Sequence, residues 1–215
     1  MAMTKFSEVS TFDILRIKIS PLARSIVSII KVPSWTLRNR PHPSPPHLKR
    51  RTIVTLANKQ KFESFVETGT YRGDMLERIS KKTSVNEILS IELDERLAVE
   101  AQFRFRNNSK IKILQGDSGE VLANIMPELP EPALFWLDGH YSGGVTALGT
   151  TTTPIFAELQ AIELSKRKSD VILIDDIRLF NGHDGYPTLE DLTDFIYKLN
   201  PKWTCLVLGD FLQIS

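Results

Sequence analysis

One cysteine, Cys205, is the only thiol in this 215-residue chain, so no internal disulfide can staple it. A lone thiol fits a reducing compartment, and a cytoplasmic setting is expected. Cys205 stands in the apolar run Trp203-Thr-Cys-Leu-Val-Leu208, where a small buried hydrophobe is a simpler reading than a nucleophile. An excess of one charge is also missing. Lys and Arg number 27 against 26 Asp and Glu, so no overall field points to nucleic acid or to an anionic membrane. No apolar run reaches the roughly 18 residues of a membrane span. The nearest, residues 22–32, is interrupted by Arg24 and Lys31, and it begins too far along the chain for a cleavable secretory signal. Two phosphate-binding signatures are absent as well: there is no Gly-Lys-Ser/Thr of a P-loop and no G-x-G-x-x-G.

What is present reads as one α/β domain with an appendage. The content of 41% hydrophobic and 25% charged residues is that of a soluble globular protein. The length allows one well-packed domain and an extension. Residues 1–51 differ from the rest. Two apolar-containing stretches, 12–19 and 22–32, are separated by Pro21, which stops or kinks a helix. A proline-rich segment, Arg40-Pro-His-Pro-Ser-Pro-Pro-His47, favours extended conformations and reads as a linker. Lys49-Arg50-Arg51 reads as solvated surface, and the main domain is expected over 52–215. The extension is a candidate surface for pairing two subunits.

From residue 62 onward, apolar runs alternate with stretches of helical period. Strands are expected at 62–67, 87–92, 110–115, 133–137 and 170–174, with a closing pair at 203–208 and 211–214. Helices are expected from the glycine turn to Lys82, at 94–107, from Ser118 to before Pro127, from Pro154 to Ser165, and at 189–199. The alternation predicts a doubly wound, mostly parallel, seven-stranded Rossmann-like sheet with an antiparallel last strand, beside a helical N-terminal extension. Ligands of such sheets bind beyond the carboxyl ends of the strands, so those ends carry the functional reading.

The first strand ends in Glu67-Thr-Gly-Thr-Tyr-Arg-Gly73. Its glycines permit a sharp turn, and the next helix offers unpaired N–H groups. The second strand ends in Glu92, an acid suited to a ribose diol, followed by Leu93. The third ends in Gly116-Asp117-Ser118, where Asp117 either meets an adenine amino group or caps the helix. Taken together, these ends resemble the class I S-adenosylmethionine-dependent methyltransferases over residues 62–215. The resemblance implies that Glu67, Thr68, Gly69, Tyr71 and Gly73 hold the methionine end. It further implies Glu92 at the ribose, Leu93 on the adenine, and Gly116, Asp117 and Ser118 at its amino group.

The fourth strand ends in Leu137-Asp-Gly-His140 and the fifth in Ile174-Asp-Asp176. Carboxylates gathered at adjacent strand ends repel one another unless a cation lies between them, and hard oxygen donors suit Mg²⁺ or Mn²⁺. The alternative is that these aspartates bond only local amides. The pattern resembles the metal-dependent sugar O-methyltransferases of macrocin type, and more distantly catechol O-methyltransferase. That resemblance implies Asp138, Asp175 and Asp176 as metal ligands, with Asp138 also facing the cofactor. His140 stands where the sugar enzymes carry a second aspartate. It can serve as base, with its ordinary pKa near ~6.5, as a further ligand, or have no role. The expected activity is methyl transfer to a hydroxyl of a small-molecule or glycan acceptor, such as a sugar, diol or catechol. The loop 141–153 and the segment 180–186 are candidate acceptor rims. Glu158 is a candidate to reach the site, and Arg178 to neutralise the acids or to meet an anionic acceptor. A nucleotide- or NAD-binding enzyme on the same sheet and a non-catalytic cofactor-binding module are the rival expectations.

Overall fold

Strands form where apolar residues run almost unbroken: β1 (Ser64–Thr68), β2 (Glu87–Glu92), β3 (Ile111–Gln115), β4 (Ala133–Leu137) and β5 (Val171–Ile174). β1, β4 and β5 are buried along their whole lengths, as a sheet covered on both faces requires. β6 (Cys205–Leu208) and β7 (Phe211–Ile214) complete a seven-stranded sheet in the order β3-β2-β1-β4-β5-β7-β6. The first five strands are parallel, and β7 runs antiparallel to both β5 and β6. This is the doubly wound sheet expected from the sequence. The computed structural model describes residues 45–139 and 153–215, together with the single positions 29 and 43. The two N-terminal apolar stretches apart from Ile29, half of the proline-rich segment, His140 and most of the 141–153 loop lie outside the described residues.

Side-chain alternation divides the core between the two faces. Phe65, Leu134, Trp136 and Leu173 point to one face; Val66, Phe135, Leu137 and Ile174 point to the other. Helices α1 (Pro46–Gln60), α2 (Asp74–Lys82) and α3 (Glu95–Phe105) cover the first face through Ile53, Leu76, Ile79 and Ala98. Helices α4 (Ser118–Ile125), α5 (Ile155–Leu164) and α6 (Leu189–Leu199) cover the second through Leu122, Leu159 and Ile196. Each such fully buried side chain contributes roughly 1.5–3 kcal/mol of transfer free energy. Local chemistry marks the helix starts. Asp94 caps α3 by accepting from Leu97 N, and a reciprocal Thr188–Asp191 capping box opens α6. Pro154 is the residue before α5 rather than its first helical residue, a one-position difference of the kind helix ends commonly show. Among the described residues no helix is long and apolar enough to cross a membrane.

α1 differs from what its sequence suggests. The chain becomes helical at Pro46, inside the segment that reads as an extended linker. Proline suits that position because the first helical N–H has no intrahelical partner to lose. Ile53 and Ala57 are fully buried against the α2 side of the core, and Asn58 Nδ2 donates to Lys82 O at 2.9 Å. The basic cluster before Thr52 is therefore the first turns of a docked helix.

The order of the strands places a switch point between β1 and β4: successive crossovers move outward to β2 and β3 on one side and to β5 on the other. There the connections after the two strands run in opposite directions, and in doubly wound sheets such a point is where ligands bind, beyond the carboxyl ends of the strands.

Candidate functional site

On the β1–β2–β3 side, three acids stand at successive strand ends. Glu67 pairs in register with Ser90 across β1 and β2, and Ser90 Oγ donates to its Oε2 at 2.8 Å. Thr70 Oγ1 lies 2.6 Å from the same hydroxyl, so a buried chain of hydroxyls ends on the carboxylate. Burial, with Asp138 and Glu92 nearby, pushes the Glu67 pKa well above the usual carboxylate range, and the Ser90 bond offsets only part of this. At the end of β2, Glu92 accepts from Tyr71 N at 2.7 Å and from Asp94 N at 3.0 Å. Burial raises its pKa too, against the pull of those backbone donors. A carboxylate has about four acceptor positions, so two remain for a ligand diol. Leu93 beside it is half-buried, and its carbonyl accepts from Gln115 Nε2 at 3.1 Å.

At the end of β3, Gly116 N donates to Glu92 O at 3.0 Å, which ties the second and third strand ends together. Asp117 caps α4 by accepting from Gly119 N at 2.9 Å, so the capping role weighed from sequence is present. Ser118 is the first residue of α4. It is buried and donates to Glu158 Oε1 at 2.6 Å, because Asp117 already meets the exposed N–H. Glu158 is itself buried on α5, and its carboxylate would stand 3.2 Å from a Cβ placed on Gly139. The candidate reach of Glu158 into the site therefore agrees with its position.

The turn between β1 and α2 joins the two sides. Gly69 has φ +84°, and a Cβ there would sit 2.5 Å from the Asp138 carbonyl oxygen. Only glycine lets this turn lie against β4. Gly73 has φ +68°, and a Cβ would strike the Phe105 ring at 2.4 Å. Tyr71, at φ 47°, is partly exposed beneath the Arg72 guanidinium. Thr68 is buried, and its carbonyl and hydroxyl both accept from Asp138 N, at 3.1 and 3.2 Å.

On the β4–β5 side, carboxylate oxygens of Asp138, Asp175 and Asp176 lie within 4.8 Å of one another. The three residues named from sequence do come together. Two groups that the sequence did not name lie among them. Lys49, from the first turn of α1, has its Nζ 2.6 Å from Asp175 Oδ1 and 3.4 Å from Asp210 Oδ2, and it also donates to Asp176 Oδ1. Its side chain is only 11% exposed, which corrects the solvated-surface reading of the basic cluster. Burial alone would lower its pKa, but Asp175 and Asp176 outweigh burial and raise it. Asp210, in the β6–β7 turn, is 2% exposed.

Arg178 neutralises the acids, as one of its two sequence readings had it. It grips both oxygens of Asp176, at 2.5 and 3.0 Å, and bonds Asp210. Asp175 Oδ1 also accepts from Asp176 N at 2.7 Å, and Asp176 has φ 53°. Burial, with Asp138 and Asp176 beside it, still pushes the Asp175 pKa well up despite the Lys49 ammonium. From the 180–186 segment comes Tyr186, whose phenol is pushed up to about 12 by burial and then by Asp176 and Asp138. It packs edge-to-face on Phe180. The helical pattern Ile53-x-x-x-Ala57 behind a proline was the one sequence signal for the placement of Lys49. For Asp210 there was none beyond a turn.

No family model matches this sequence, and no curated protein matches it. Solved structures do share its fold. The chain aligns with a methyltransferase from Podospora anserina, PaMTH1, bound to SAH, at a TM-score of 0.58 and 16% identity, covering 100% of this chain and 98% of that one. It aligns with the SAM-bound O-methyltransferase TomG from Streptomyces achromogenes at 0.60 and 13%, covering 99% and 98%. It aligns with an SAH-bound O-methyltransferase from Bacillus cereus at 0.62 and 15%, covering 94% and 93%. The chain thus shares the fold of these methyltransferase structures along nearly its whole length.

Proposed function

We propose that this protein is an S-adenosylmethionine-dependent methyltransferase acting on a hydroxyl oxygen of a small-molecule or glycan acceptor. One observation carries the reading: the Gly69 turn lies directly against Asp138 at the switch point, so the proposed cofactor acids and the second acidic group border one crevice. Names borne by the fold's solved neighbours support it, since two are O-methyltransferases with SAM or SAH bound.

The residues fit the cofactor's chemistry in three places. Glu67 and the backbone from Thr68 to Gly73 suit the methionine end, with Tyr71 beside them. Glu92 keeps acceptor capacity for the ribose hydroxyls. Leu93 offers an apolar edge to the adenine ring, and Gly116, Asp117 and Ser118 border its amino group. When bound, S-adenosylmethionine supplies a methyl group on a positively charged sulfur. The chain's part is to align the acceptor oxygen with that methyl and to take the hydroxyl proton, since alignment of two reactants accounts for much of such catalysis. His140 is the proposed base, because it stands where the resembling sugar enzymes carry a second aspartate and an imidazole takes a proton near neutral pH.

For the acceptor side, Asp138, Asp175 and Asp176 form a donor set that suits a hard divalent ion such as Mg²⁺ or Mn²⁺. With Lys49 seated on two of the three, the set as a whole does not fit such an ion. A sugar, diol or catechol hydroxyl remains the proposed acceptor class. Pairing of two subunits through the N-terminal extension and a cytoplasmic location are further proposals from sequence.

Calorimetric titration of the full chain with SAH, and separately with NAD, tests the assignment. SAH binding that weakens on Glu92→Ala is the expected result. Heat from NAD alone would transfer the site to a dinucleotide enzyme.

A further inference from the structure

Four carboxylates converge where β4, β5 and the β6–β7 turn meet: Asp138, Asp175, Asp176 and Asp210. The chain answers them with two cations of its own. Arg178 forks across both oxygens of Asp176 and bonds Asp210, the bidentate geometry in which a guanidinium holds a carboxylate most firmly. Lys49 reaches in from α1, 126 positions from Asp175 in sequence, and donates to both Asp175 and Asp176. We infer that Lys49 is the resident cation of this cluster and occupies the place that a divalent metal would take, so that the site works without one. The inference rests on reading these acids as the acceptor side of the proposed methyltransferase.

Three observations support it. An ammonium has three N–H donors, and two are spent on the very oxygens a metal would need. Both oxygens of Asp176 are already held by Arg178, one of them shared with Lys49, so this ligand is doubly engaged. Lys49 is also fixed at its base. α1 starts on the buried Pro45 and docks through Ile53 and Ala57, both essentially inaccessible, which keeps the lysine stem directed at the cluster. A divalent ion bound to Asp175 and Asp176 would lie a few ångströms from this ammonium, where like charges at low dielectric repel strongly. An ammonium occupied in this way does not chelate a pair of acceptor oxygens as a divalent ion does. The acceptor then needs no adjacent pair of hydroxyls.

Titration with Mn²⁺, followed by the loss of the free-ion electron paramagnetic resonance signal, separates the alternatives without knowledge of the acceptor. The full chain and Lys49→Arg, which keeps the charge, are expected to leave Mn²⁺ free. Lys49→Met, checked for folding by circular dichroism, is expected to bind one ion roughly tenfold tighter or more, and to lose it again on Asp175→Asn. Binding by the unaltered chain that disappears in Asp175→Asn overturns the inference, whether or not Lys49→Met folds. So does a folded Lys49→Met that still ignores Mn²⁺. SAH calorimetry is independent of all these outcomes, so a failure of the cofactor assignment is told apart from a failure here.

Discussion

The two sides of the crevice solve the same electrostatic problem with different partners. Beyond β1 and β2, Glu67 and Glu92 are satisfied by neutral donors: a serine hydroxyl and two backbone N–H groups. Beyond β4 and β5, Asp175, Asp176 and Asp210 are held by formal cations, Lys49 and Arg178. Neutral donors leave an acid's charge uncompensated, so that side attracts a ligand carrying hydroxyls or an amine. Fixed cations offset part of the charge in advance, so that side is largely organised before anything binds. Buried acids of one chemical type thus acquire opposite functions from what surrounds them.

The most severe way to break the comparison is to force its two sides apart. Gly69→Ala places a Cβ at 2.5 Å from Asp138 O on a backbone with φ +84°. A loss of about 2–4 kcal/mol is expected from strain and overpacking together, measured by urea unfolding. A variant as stable as the parent would show that the turn and β4 do not depend on one another.

A gentler test asks whether the sides differ in what they bind. Glu92→Ala should weaken SAH by roughly 10–100-fold, the worth of hydrogen bonds to a charged group. Asp176→Ala should leave SAH affinity where it was. Equal losses in the two variants, read by calorimetry, would erase the distinction between the sides.

The smallest effect is a slope with pH. Glu67 has its folded-state pKa raised by burial. Between its unfolded value of about 4.3 and that raised value, the folded protein holds a proton that the unfolded chain has released. Stability therefore falls as pH rises through this window. Glu67→Gln has no such proton, and it should gain on the parent in thermal midpoint as pH rises above about 4. A gap that stays constant with pH would mean that Glu67 is ionised at little cost and that the hydroxyl chain compensates it fully.

Much of the sheet was legible because its signals are local. The runs at 87–92, 133–137 and 211–214 coincide with strands, since a strand buried on both faces must be apolar at consecutive positions. The acids at strand ends were legible for a related reason: a strand's last residue is fixed by the strand, and Asp138, Asp175 and Asp176 stand as neighbours because β4 and β5 pair in register. Lys49 was not legible. Its partners lie 126 and 127 positions away, and no local period records such a pairing. The prolines before it suggested an extended chain, yet a proline is equally at home in the first turn of a helix. Asp210 escaped notice similarly, since Gly-Asp between two strands needs no explanation beyond the turn. His140 and the loop after it rest on sequence alone.

α1 crosses the point at which the composition suggests that the domain begins. A chain shortened to start at Thr52 would keep Ile53 and Ala57, and with them most of the helix's grip on the core. It would lose Lys49. Such a fragment would present the acids of β4 and β5 with one counter-charge fewer. Any response to magnesium or manganese measured on it would then report the cut, and the full chain would be misclassified by the chemistry of its own missing residue.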